Sequence, residues 1–123
     1  MKDRRKERGR IGEESAAQFL LKKGYRLVEK NWRCKFGEID LIMKEAETLI
    51  VVEVRTTSSN RFGLGYESVD FRKQMKLKTL TNYYIQSRKI NLLSTKVRID
   101  VVSVLLDKGE QVISVTHIPH AIT

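Results

Sequence analysis

Two acids interrupt segments that are otherwise strongly apolar: Asp40 within EIDLIM (38–43) and Glu53 within LIVVEVR (49–55). The short polar stretch 44–48 between them predicts a hairpin turn centred between Ala46 and Glu47. That turn sets Asp40 directly opposite Glu53, with Cβ atoms ~5 Å apart. Side chains alternate along a strand, so Glu38, Asp40, Glu53 and Arg55 share one face. Ile39, Leu41, Val52 and Val54 then point the other way. Two opposed carboxylates repel until a proton or a cation relieves them. A hard divalent ion, Mg²⁺ or Mn²⁺, suits such a pair, because it takes one or two protein carboxylates and binds substrate phosphates as well. Arg55 on the same face is placed to meet a phosphate. The spacing equally fits an exposed ion-paired face in which Arg55 neutralises Asp40 or Glu53.

Two further charges extend apolar helical stripes. Glu13 lies one turn before Ala16, Ala17 and Leu20, either as a third acid turned toward the site or as a carboxylate favoured at a helix N-terminus. Lys73 leads Leu77, Leu80 and Tyr84 in the same way, facing a phosphate or snorkelling past the sheet edge.

The elements that must position these residues follow from periodicity and punctuation. Residues 11–23 predict an amphipathic helix ended by Gly24. Strands are predicted at 25–32, 38–43, 49–55, 97–105 and 112–118, and a long helix at 69–88. Residues 56–67 (TTSSNRFGLGYE) predict a mobile loop, in which Phe62 and Tyr66 either stack on a base or anchor the loop. Gly63-Leu64-Gly65 is too short for a phosphate-cradling loop. The order α-β-β-β-α-β-β predicts an α/β domain around a small mixed β-sheet flanked by helices. Residues 1–123 form a single domain with a basic N-terminal arm at about 1–10.

Composition narrows the function classes. Lys and Arg number 24 against 15 Asp and Glu, a formal net charge of +9 over 123 residues. Arg4, Arg5, Arg8 and Arg10 crowd the N-terminus, and Arg72, Lys73, Lys76 and Lys78 form a second group. Such a surplus points to a polyanionic partner, nucleic acid ahead of a membrane surface. A lone Cys34 excludes an internally disulfide-stapled domain and, with no Cys or His at ligand spacing, a zinc site. Cys34 with His117 or His120 has the residue types of a nucleophilic pair and nothing more; the histidines are expected at the surface or at strand ends. No apolar run approaches the ~20 residues of a membrane span. No signal-type segment follows the basic N-terminus, so a cytoplasmic location is expected.

These residues also carry a family likeness. Gly12-Glu13, Ala17, Gly24-Tyr25, Asn31, Gly37-Glu38-Ile39-Asp40-Leu41-Ile42 and Val52-Glu53-Val54-Arg55 resemble the YraN-like family of small bacterial proteins. The likeness continues through Gly63, Val69, Lys73-Gln74 and Arg98-Ile99-Asp100-Val101. That family is related to the PD-(D/E)XK nucleases, including archaeal Holliday-junction resolvases. The resemblance implies a restriction-endonuclease-like core and metal-dependent hydrolysis of DNA phosphodiester bonds, with branched DNA a candidate substrate. It implies Asp40 and Glu53 as metal ligands and Glu13 as the acid from the first helix; Glu38, Lys73 and Gln74 are expected as supporting or phosphate-contacting residues. Arg4, Arg5, Arg8, Arg10, Arg72 and Lys76 would hold nucleic acid, and resolvase-type relatives imply a homodimer. Arg55 stands where the family usually has a catalytic lysine. Arg keeps its proton where a buried lysine can release one, so the electrostatic part of that role survives and the proton-accepting part does not. The alternative is a catalytically decayed nucleic-acid-binding module.

Overall fold

Tight alternation of β-branched residues and two helical stripes produce the element order α1 (Arg5–Lys22), β1 (Arg26–Cys34), β2 (Gly37–Glu45), β3 (Thr48–Ser58), α2 (Phe71–Ser87), β4 (Lys96–Leu106) and β5 (Val112–Ile122). The computed structural model describes residues 4–58 and 70–122. The predicted loop reading of Phe62, Gly63-Leu64-Gly65 and Tyr66 therefore lies outside the described residues, although Thr56–Ser58 prolong β3.

The five strands form one mixed sheet in sequence order. All neighbours are antiparallel except β3 and β4, which run parallel and are joined through α2. Successive residues of β3 feed two different cores. Ile50 and Val52 meet Ala16, Ala17 and Leu20 of α1, while Leu49 and Val51 meet Leu77, Leu80 and Tyr84 of α2. The helices thus cover opposite faces of the sheet, which is the expected α/β architecture.

Local signals account for the boundaries. Gly24, at φ +97°, ends α1 in the left-handed conformation that glycine adopts without penalty. The Asp70 side chain caps α2 by accepting the Lys73 N–H at 2.9 Å. The start of α1 differs from expectation: Arg5, Arg8 and Arg10 stand on its first turns rather than on an arm. Ion pairs of Arg10 with Glu7 (3.0 Å) and Glu14 (2.9 Å) support these solvated turns, where no apolar stripe marks a helix. Among the described residues, no helix is long and apolar enough to cross a membrane.

The β2–β3 hairpin has the predicted register, from Glu45↔Thr48 to Leu41↔Val52. The ladder stops there, one residue short of Asp40 and Glu53. One expectation fails beyond that point. Ile39 packs with Ile42 on the α2 side instead of with Leu41. Past the end of the ladder Ile39 is held by β1, opposite Trp32, which packs against the same cluster.

Candidate metal centre

The acids gather where β2 and β3 part. In place of another ladder bond, Asp40 Oδ2 accepts the backbone N–H of Val54 at 2.9 Å. The first helix brings Glu13 to the same place because it lies unusually close to β3. A Cβ on the buried Gly12 would fall 1.8 Å from Thr56 Oγ1, so only glycine allows this approach. Glu13, Glu38 and Asp40 each offer a carboxylate oxygen, and these oxygens all lie within 4.8 Å of one another.

Glu53 of β3 lies outside that set of three but shares a cavity with Glu38 and Asp40. It is only 9% exposed, and its Oε1 lies 3.0 Å from Lys73 Nζ. Glu38, Asp40, Glu53, Lys73 and Lys76 line one cavity of about 240 Å³, floored by Leu77 and Leu80. On its other side Glu38 borders a cavity of about 750 Å³, with Arg10, Glu13, Asn31 and Arg33 on its walls. Burial, helped by the neighbouring charges of Glu53, Glu13 and Glu38 and opposed by the Val54 N–H, pushes the Asp40 carboxyl up to about 7. A carboxylate so placed, facing three others, favours whatever brings positive charge to it.

The remaining site residues named from sequence separate into groups. Arg55 is half-buried two residues beyond Glu53, with its Cα opposite Ser103 of β4. Lys73 does not merely snorkel; it ion-pairs with Glu53. Gln74 is partly buried beside it on α2. Arg72 and Lys76 are exposed on the same helix, and Lys76 lines the cavity of the acids. Arg5 and Arg8 line a separate cavity of about 420 Å³ with Thr56, Thr57 and Ser58. Arg4 is drawn away from any arm into an ion pair with Glu110 of the β4–β5 turn, and Arg10 is engaged by Glu7 and Glu14.

The histidines require a correction. His120 is exposed on β5, but the His117 side chain is 2% exposed, with Nε2 2.7 Å from the fully buried Asp100. Its Nδ1 receives Lys23 Nζ at 2.8 Å, and its ring meets Tyr25 and Phe19 edge-on. A neighbouring-strand carboxylate draws it inward, a partner that alternation within β5 does not reveal. Cys34 packs against the α2-side core, so it and His117 lie on opposite faces and form no nucleophilic pair. Asn31 received no role from its residue type, yet its amide bridges Glu13 and Glu38. The one sequence signal for it was its place in the family likeness.

Comparison with known proteins agrees with that likeness. Residues 12–104 match the model of a family described as "Uncharacterised protein family UPF0102". A "UPF0102 protein" of Moorella thermoacetica is 47% identical over 111 residues, covering 90% of this chain and 91% of its own. One from Caldicellulosiruptor saccharolyticus is 38% identical over 117 residues (95% and 98%). Another, from Caldanaerobacter subterraneus, is 43% identical over 114 residues (92% of each). With a family match spanning most of the chain and near full-length relatives, the protein belongs to the UPF0102 family, the YraN-like family that its residues resemble.

Proposed function

We propose that this protein is a divalent-metal-dependent endonuclease that hydrolyses DNA phosphodiester bonds in the cytoplasm, with branched DNA among its substrates. One observation carries the reading: Glu13 of α1, Glu38 of β2 and Glu53 of β3 surround Asp40, whose proton affinity is raised, and Glu38, Asp40 and Glu53 share a cavity with Lys73 and Lys76. The donor set is all oxygen and strongly acidic, which fits Mg²⁺ or Mn²⁺ and not a thiophilic metal. Asp40 and Glu53 would hold the ion, with Glu13 and Glu38 beside them. When bound there, the metal supplies Lewis-acid polarisation of a phosphoryl oxygen.

The chain's own residues do the rest. Lys73 and Arg55 offset the charge that builds on a phosphate under attack. Lys73, now paired with Glu53 at 3.0 Å, would turn to a substrate oxygen once Glu53 served as a ligand. Lys76 and Arg72 of α2, with Arg5 and Arg8 of α1, hold the backbone on either side, a contribution that weakens with salt. The relation of YraN-like proteins to the PD-(D/E)XK nucleases supports this assignment. Arg55 favours a second reading, a DNA-binding module that has lost turnover, since a guanidinium cannot take the proton of an attacking water.

Cleavage of branched and linear DNA with Mg²⁺ or Mn²⁺, compared between wild type and Asp40→Ala, tests the proposal. Cleavage by wild type that falls at least ~100-fold in the variant is expected, on the scale of one lost charge-stabilising group. Equal cleavage by both proteins contradicts the assigned mechanism. Salt-sensitive binding without cleavage establishes the second reading.

A further inference from the structure

Asn31 sits in β1 between the pairs Lys30↔Leu41 and Trp32↔Ile39, and so stands opposite Asp40. Its backbone φ is +51°, in the left-handed region where Asn is one of the few non-glycine residues commonly found. From there the exposed side-chain amide reaches two elements at once. Nδ2 donates to Glu13 Oε1 of α1 at 2.9 Å and to Glu38 Oε1 of β2 at 3.0 Å. The second oxygen of Glu38 accepts Arg33 Nε at 2.6 Å.

An amide is an unusual choice for holding two acids together. It supplies two N–H donors and no net charge, so it fixes their positions without neutralising them. Arg33 already ion-pairs with the other oxygen of Glu38 at 2.6 Å, and the amide adds no further positive charge to compete with an incoming cation. Each carboxylate also has about four acceptor sites, so one amide bond leaves the others open. Glu13 and Glu38 would otherwise swing apart from each other and from Asp40, since like charges this close repel. We propose that Asn31 is a positioning residue for the divalent-cation site, presetting Glu13 and Glu38 for the ion through its two donated hydrogen bonds while remaining outside the ion's own contacts. The inference rests on the metal-binding reading above and assigns the residue that organises it.

Calorimetric titration with MnCl₂ alone, at pH 8, separates this role from a structural one. Asn31→Gly keeps the left-handed backbone accessible and removes only the amide. It is expected to weaken Mn²⁺ binding 10- to 100-fold, the usual scale for groups that orient metal ligands. Its metal-free melting temperature should stay close to wild type. Asn31→Asp has nearly the same shape but replaces the amide nitrogen by an acceptor oxygen. It should melt below wild type without metal and recover at saturating Mn²⁺, because the added repulsion is then screened by the ion. Mn²⁺ affinity in Asn31→Gly within twofold of wild type overturns the proposal, as does an Asn31→Asp melting deficit that Mn²⁺ leaves unchanged. A wild type that takes up no Mn²⁺ overturns the metal reading itself, and this role with it.

Discussion

Asp40 and Asp100 are both withdrawn from solvent on inner strands of one sheet, yet their surroundings are opposite. Asp100 is fully buried and saturated with donors. Arg98 Nε and Nη2 reach it at 3.0 and 3.2 Å, His117 Nε2 at 2.7 Å and the His120 N–H at 2.9 Å. Lys23 then donates to His117 Nδ1, and Arg98 Nη2 to the Tyr25 hydroxyl at 2.7 Å. Among the described residues, Asp40 accepts the Val54 N–H and faces Glu13, Glu38 and Glu53. Burying a charge is costly unless it is paired. Asp100 finds its positive charge within the chain and becomes part of the scaffold between α1, β4 and β5. Asp40 instead faces acids, whose charge disfavours its ionised form.

The contrast is breakable by substitution. The largest effect is expected at Asp100: Asp100→Ala leaves Arg98 and His117 without their shared acceptor and should lower stability by about 3–5 kcal/mol in urea unfolding. A loss under about 1 kcal/mol would mean that the buried network contributes little.

Asp40 should behave in the reverse sense. Its folded-state carboxyl, pushed up to about 7, holds a proton that the unfolded chain gives up near pH 4. The folded state therefore binds more protons between about pH 4 and 7, and metal-free wild type should lose stability across that window as pH rises. Asp40→Asn removes this slope and should be more stable than wild type at pH 8 by roughly 1–3 kcal/mol. Unfolding curves with the same pH dependence in both proteins would remove the distinction between the two aspartates.

The smallest effect is expected at Lys73. Its side chain is 50% exposed, so although it touches Glu53 it is no counterpart of Arg98, 19% exposed beside Asp100. Lys73→Met should change metal-free stability by less than about 1 kcal/mol. A loss as large as that of Asp100→Ala would mean that the acid cavity has a built-in counterion after all.

How far the sequence carries depends on the range of the interaction. The β2–β3 register was readable because a short turn and a period of two leave little freedom, and the helix face of Leu77, Leu80 and Tyr84 because burial follows the helical repeat. The start of α1 was not, since charge pairs rather than apolar residues extend it past Ile11. Asp40 and Glu53 could be placed side by side, but not the end of the ladder between them, nor the Val54 N–H that takes its place. The Asn31 bridge needs three elements and a left-handed backbone, and the inward turn of His117 needs a carboxylate from another strand. Neither is encoded in any local repeat.

The proposed function requires that Asp40 recruit a metal ion. Titrating Mn²⁺ calorimetrically into the metal-free protein at pH 8, beside Asp40→Asn under the same conditions, tests this most directly. Saturable heat in the wild type, lost in a variant that remains folded, is the predicted result. No binding by the wild type, or equal binding by Asp40→Asn, would contradict it.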